Sequence, residues 1–151
     1  MAELTITVAV ATGTQYITGA TGSIYTFDGS QPASNTFPWV ASGTVRLEQS
    51  GSSNDNHPLI FSTSNSAILG TMQAGIISSG VTYYLDGASN QSDYTNTTTF
   101  NAATTRYIEI APTSETDFYF ACWVHGIGMG GIMNMTQDTW GALSWSTGKW
   151  G

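Results

Sequence analysis

The sequence holds one cysteine, Cys122, and two histidines, His57 and His125. Cys122, His125 and Met129 fall within eight residues, in Cys122-Trp123-Val124-His125-Gly126-Ile127-Gly128-Met129. Thiolate, imidazole and thioether are the donors of a mononuclear copper site in which two His and one Cys lie in a plane and a Met binds weakly on the axis. Such a site needs a second imidazole, and His57, in Asn54-Asp55-Asn56-His57-Pro58-Leu59, is the only other one in the chain. Zinc takes the same nitrogen and thiolate donors, but the soft thioether favours copper. The residues also allow a copper-free reading, with Cys122 a small buried hydrophobe, Met129 a gap filler and His57 an ordinary loop histidine.

The rest of the composition narrows the alternatives. The chain has 151 residues, which predicts one domain large enough to bury a core. Only 9% of residues are charged and the net charge is −7, with Arg46, Arg106 and Lys149 the sole Lys or Arg residues. That balance argues against nucleic acid, whose phosphates need clustered cations, and against an anionic membrane surface. No stretch approaches the roughly 20 apolar residues of a membrane-spanning helix. Met1-Ala2-Glu3-Leu4-Thr5-Ile6-Thr7 lacks the basic start and apolar block of a signal peptide. With one cysteine, no internal disulfide is available. The carboxylates are scattered and both histidines belong to the metal constellation. Neither acid–base nor nucleophilic catalysis is therefore expected, and the chain reads as a non-enzyme.

The elements that would position these ligands read as strands. Leu4, Ile6, Val8 and Val10 alternate with small polar or short residues at period two. Residues 23–27 predict a second strand closed by Asp28-Gly29, and residues 44–48 a third with Val45 and Leu47 inward. Residues 49–56 form a polar loop that delivers His57-Pro58, and the proline biases His57 towards an extended backbone. Residues 59–62, 81–85 and 105–110 are further strands, Asp86-Gly87 is a turn, and residues 63–80 stay ambiguous. Residues 88–99, almost all Ser, Asn, Gln and Thr, predict a surface loop. Residues 117–123 form the most strand-like run, aromatic on both faces and so central, with Cys122 near its end. Glycines 126, 128, 130 and 131 would let one tight loop carry Cys122, His125 and Met129 around an ion. No window predicts a helix. The pattern as a whole predicts an all-β sandwich.

Trp140, Trp145 and Trp150 are spaced by five, which fits neither one helix face nor one strand face. Either they fold back on the sandwich or they form an arm that docks on a neighbour, where Trp is a favoured anchor; the second is expected.

His57 together with Cys122-x-x-His125-x-x-x-Met129 resembles the cupredoxins, the blue copper proteins. The resemblance implies a Greek-key β-sandwich over residues 23–135, with an N-terminal strand or arm at 1–22 and a Trp/Gly-rich C-terminal arm at 136–151. It implies His57, Cys122 and His125 as equatorial copper ligands and Met129 as the axial one. Several phrases are also similar to the cupredoxin-like modules in structural proteins of marine tailed phages, cyanophages among them. They are Tyr25-Thr26-Phe27-Asp28-Gly29, Glu48-Gln49-Ser50-Gly51-Ser52-Ser53-Asn54 leading to His57-Pro58-Leu59-Ile60-Phe61-Ser62, Tyr119-Phe120-Ala121-Cys122, Met129-Gly130-Gly131 and the Trp-Gly tail.

This second likeness implies a virion component made in the host cytoplasm, most naturally a capsid decoration or cement protein, or else a tail or fibre part. Its expected partners are the major capsid protein or further copies of itself, met through the N-terminal strand and Trp140, Trp145 and Trp150, in a homo-oligomer. The other function in view is a soluble electron-transfer cupredoxin, docking its redox partner on a patch at Gly126, Ile127 and Gly128.

Overall fold

The computed structural model describes residues 3–31, 44–111 and 117–134. Its strands are β1 Glu3–Thr14, β2 Thr21–Phe27, β3 Thr44–Glu48, β4 Leu59–Ser62, β5 Val81–Leu85, β6 Ala88–Ser89, β7 Arg106–Ile110, β8 Asp117–Cys122 and β9 Gly126–Asn134. They make a six-stranded sheet in the order β2-β1-β3-β7-β5-β6 and a three-stranded sheet in the order β4-β8-β9. β1 runs parallel to β3, whereas the other paired strands are antiparallel. The chain is thus the β-sandwich that its period-two patterning predicts.

Alternation decides which side chains face inward. Val45 and Leu47 on β3 and Ile108 and Ile110 on β7 are fully buried, while Arg46 and Glu109 between them stay partly exposed and pair at 2.9 Å. The two sheets meet through Tyr25 and Phe27 of β2 against Phe120 of β8, with the Phe27 and Phe120 rings edge to face at 5.5 Å. All four residues of β4 are buried, as expected of a strand covered on both faces. β8 lies in the middle of its sheet, which accounts for its unbroken aromatic run.

The turns follow their sequence signals. Asp28-Gly29 and Asp86-Gly87 have φ of 52° and 87°, and of 49° and 82°. These left-handed pairs suit a two-residue hairpin turn that matches the twist of the strands.

Three expectations need correction. The N-terminal strand does not lie outside the sandwich as an arm: residues 3–7 of β1 pair with β3 and residues 8–14 with β2. Helices are also present, as α1 Leu69–Ala74, α2 Gln91–Tyr94 and α3 Thr97–Ala102. Each is too short to show a helical period, and each buries a single large residue, Met72, Tyr94 and Phe100 respectively. Residues 88–99 are therefore more than a polar surface loop, because Asn90 and Asn96 cap α2 and α3 by accepting main-chain N–H bonds. Residues 135–151, with Trp140, Trp145 and Trp150, and residues 32–43 lie outside the described residues.

Candidate metal centre

His57 closes the loop between β3 and β4, and a buried polar network shapes that loop. Gln49, fully buried, donates from Nε2 to the Asn54 side-chain oxygen at 2.9 Å and to the His57 carbonyl at 3.2 Å. Its Oε1 accepts from the Leu59 N–H at 3.1 Å and from the Tyr94 hydroxyl. Asn54, also fully buried, reaches back to the Val8 carbonyl at 2.8 Å, and the His57 N–H donates to the Asn54 carbonyl at 2.8 Å. Arg106 braces the same loop from below. Its guanidinium donates to the Ser50 and Gly51 carbonyls at 3.1 and 3.0 Å, to the Phe100 carbonyl at 3.3 Å and to Asp55 at 2.8 Å.

Cys122 ends β8 and is fully buried, opposite Leu59 of β4 and Gly126 of β9. The N–H of Trp123 donates to the Pro58 carbonyl at 2.9 Å, which ties the cysteine strand directly to the residue after His57. Gln73 of α1 donates to the Trp123 carbonyl at 2.6 Å and fixes the short turn that carries His125.

These supports bring three of the four candidate ligands together. The Cys122 Sγ lies 3.4 Å from Nδ1 of His125 and 3.8 Å from Nδ1 of His57. The imidazoles are 4.6 Å apart between ring centres, and one donor atom from each of the three residues falls within 4.8 Å of the others. An ion about 2.3 Å from sulfur and about 2.0 Å from nitrogen, at angles near 110–120°, requires sulfur–nitrogen separations of about 3.5–3.7 Å. The observed pair brackets that requirement, so the residues fit one ion bound through a thiolate and two imidazoles.

The electrostatics fit as well. Burial pushes the Cys122 thiol above its ordinary range, while the main-chain N–H groups of His125 and Val124 and the Tyr25 hydroxyl oppose that rise. Burial, and then the nearby His125 charge, hold His57 below the ordinary histidine value. A buried thiolate is costly alone, and a bound cation offsets that cost. A neutral His57 keeps its lone pair free for a metal.

Met129 is placed differently from the expectation. The ligand turn is only Trp123 to His125, since β9 starts at Gly126, and Met129 is a buried strand residue rather than part of one curled loop. Met129 and His125 both line a cleft of about 470 Å³, with Gln15 and Thr18 from the β1–β2 hairpin and Leu69 from α1 among its other walls. Gly126 alone among the four loop glycines takes a left-handed φ, 87°. Gly130 is required for another reason, because a Cβ there would overlap the Phe120 carbonyl oxygen. The patch expected at Gly126, Ile127 and Gly128 is mostly buried: Gly126 is buried, Ile127 is 5% exposed and only Gly128 is half-buried. The exposed large apolar side chains among the described residues are Ile17, Ile68 and Leu69.

No protein-family model matches the chain, and no curated protein matches it. Among solved structures, the chain is similar to a copper nitrite reductase from Nitrosomonas europaea, with 14% identity and a TM-score of 0.40 over 89% of this chain and 41% of that one. It is also similar to a blue copper oxidase from Nitrosomonas europaea, with 11% identity and a TM-score of 0.44 over 89% of this chain and 38% of that one. The chain spans about two fifths of the length of these structural neighbours.

Proposed function

We propose that this chain is a copper-binding protein of cupredoxin-like architecture, in which His57, Cys122 and His125 would hold one ion and Met129 would be a fourth, weaker ligand. The observation that carries the reading is the approach of both Nδ1 atoms to one buried sulfur, at 3.4 and 3.8 Å. The chemistry of the donors supports copper over zinc through the thioether of Met129. A bound copper ion would supply a thiolate-to-copper charge-transfer chromophore and a one-electron couple. The chain's own residues hold the donors in place, exclude water from the sulfur and favour the neutral form of His57. Metal analysis with a visible spectrum of the purified chain, before and after copper addition, tests this. One equivalent of copper and an intense visible band are expected; no uptake under any loading overturns it.

The setting we propose is a non-enzymatic virion structural protein, a capsid decoration or cement protein or a tail component, with the ion stapling the loops to stabilise the fold. The phage-like phrases support this reading. β1 is committed to the chain's own sheets, so the proposed contacts with the capsid protein or with further copies fall to Trp140, Trp145 and Trp150. The test is co-purification with assembled particles; a monomer that never accompanies them overturns it.

One observation favours electron transfer instead. His125 is exposed while Cys122 is fully buried. An ion here would lie one imidazole ring from the cleft and from solvent. Reversible reduction of the copper-loaded chain by an external one-electron donor, with the ion retained, would favour that reading over a staple.

A further inference from the structure

We infer that Asn101, on a helix that carries no candidate ligand, is a positioning residue of this centre: its side-chain amide clamps Asn56 in a left-handed backbone and so sets the direction in which His57 leaves its loop. The inference rests on the metal reading above.

Asn56 precedes His57 and has a φ of 69°, in the left-handed region. Asparagine enters that region more readily than most residues with a side chain, but right-handed and extended backbone compete with it. His57 is followed by Pro58, which confines the His57 backbone to extended angles. With His57 restricted in this way, the angles at Asn56 decide where the imidazole is carried. They also set the Asn56 carbonyl 4.0 Å from the Cys122 sulfur. The conformation of one residue thus bears on two of the three clustered side chains.

Asn101 holds that conformation with both ends of one amide. Its Oδ1 accepts the Asn56 main-chain N–H at 2.8 Å, and its Nδ2 donates to the Asn56 Oδ1 at 2.8 Å. The donor count fixes both amides. A main-chain N–H can only donate, so Asn101 turns its oxygen to it; its nitrogen then faces the Asn56 side chain, which must present an acceptor. The helix behind Asn101 is itself anchored. Asn96 caps α3 by accepting the Thr98 and Thr99 N–H groups, and Phe100 is fully buried, edge to face with Tyr94 at 5.1 Å. Arg106 lies over the Phe100 ring and donates to the Phe100 carbonyl. Gln49, Asn54 and Arg106 hold the ligand loop at Ser50, Gly51, Asp55 and the His57 main chain. Asn101 adds the hold on Asn56, from 45 positions away.

A plainer role, an outer amide pair that adds a little stability, predicts a different outcome. Asn101→Ala would then lower the urea midpoint and leave the metal affinity of the folded chain unchanged. The experiment titrates the full chain with cobalt(II) alone, beside Asn101→Ala, Asn101→Asp and Thr98→Ala, an exposed polar residue of the same helix. Salt at about 1 M, which screens beyond about 3 Å, removes the pull of an added carboxylate on the ion. We expect Asn101→Ala to bind about fivefold to tenfold more weakly and Thr98→Ala to bind as the wild type does. Asn101→Asp should recover most of the loss, because a carboxylate accepts the same N–H and the Asn56 amide can turn its NH2 group to it. Unchanged affinity in Asn101→Ala overturns the inference. A loss that Asn101→Asp does not recover, or that Thr98→Ala shares, overturns it too. Should Asn101→Ala fail to fold, Asn56→Gly keeps the left-handed φ and removes the side-chain half of the pair. Affinity must then fall, and an unchanged affinity overturns the inference. A wild-type chain that takes up neither cobalt(II) nor copper overturns the metal reading, and the inference with it.

Discussion

The side chain of Gln49 holds the main chain of His57. Its Nε2 donates to the His57 carbonyl at 3.2 Å, while its Oε1 takes the Leu59 N–H two residues on at 3.1 Å. Both ends of one buried amide are thus used on the loop that presents a candidate ligand, and the Tyr94 hydroxyl and the Asn54 side chain complete its four bonds. Gln49→Leu keeps the volume roughly but leaves the buried Asn54 side-chain oxygen and the Leu59 N–H without a partner. The expected loss is about 2–4 kcal/mol in urea unfolding of the metal-free chain. Metal affinity should fall in the same variant. A loss below about 0.5 kcal/mol, the scale of an ordinary surface change, would show that the network does not hold the loop.

Arg106 and Asp55 form an unequal pair, and substitution should expose the inequality. The Arg106 side chain is 3% exposed and the Asp55 side chain 45%. The guanidinium also satisfies the carbonyls of Ser50, Gly51 and Phe100 and lies over the Phe100 ring. Asp55→Asn removes one half-exposed carboxylate and should cost under about 1 kcal/mol. Arg106→Met takes a donor from three carbonyls, of which Gly51 and Phe100 keep others and Ser50 does not, and should cost about 1–3 kcal/mol. Arg106→Lys should recover little of it, since an ammonium cannot reproduce the planar fork. Equal losses in D55N and R106M, measured by chemical unfolding, would mean that the ion pair rather than the carbonyl contacts stabilises the loop.

Acid and alkali should each destabilise the metal-free chain through a candidate ligand. His57 is held below its ordinary value of 6.5 by burial and then by the His125 charge, so the unfolded chain takes up a proton first. The stability linked to His57 is complete above that ordinary value and is lost as pH falls through the lowered one. Cys122 has the opposite sign. Burial raises it above 9.0, so its contribution is complete below that value and is lost as pH rises through the raised one. Urea midpoints of the metal-free chain should therefore decline on both sides of neutrality. His57→Gln should flatten the acid limb and Cys122→Ser the alkaline one. An acid limb unchanged in H57Q would assign it to the carboxylates instead.

Strand identity was legible because burial writes itself into period two: Val45 and Leu47, and Ile108 and Ile110, face inward from the positions that the alternation marks. The convergence of His57, Cys122 and His125 was legible for a different reason, the scarcity of thiol and imidazole in the chain. What stayed hidden has no local signature. Gln49 follows an ordinary strand and looks like any loop glutamine, yet Tyr94, 45 positions away, donates to it. Tyr25 looks like an aromatic strand residue until the fold sets its hydroxyl against His57, 32 positions on. The single-turn helices at Tyr94 and Phe100 are fixed by Asn caps and tertiary burial, which periodicity does not register. The glycines from 126 to 131 suggested a loop, whereas Gly130 is there to let strand β9 pass close to the Phe120 carbonyl.

Met129 carries the last distinction, between an axial ligand and a packing residue. It is 4% exposed on β9, on the wall of the same cleft as His125. Met129→Leu is close to volume-conserving, so the fold should lose less than about 1.5 kcal/mol. Cys122 and the two imidazoles remain, so copper should still bind at one equivalent. An axial thioether is a weak bond whose chief effect is on the redox couple. Its loss should therefore shift the reduction potential of the copper-loaded chain and its visible band while leaving stoichiometry intact. Met129→Ala separates packing from ligation, because it opens a cavity costing about 2–5 kcal/mol whether or not the sulfur touches the ion. A Met129→Leu protein with an unshifted potential and spectrum would make Met129 a core residue and leave the ion to His57, Cys122 and His125.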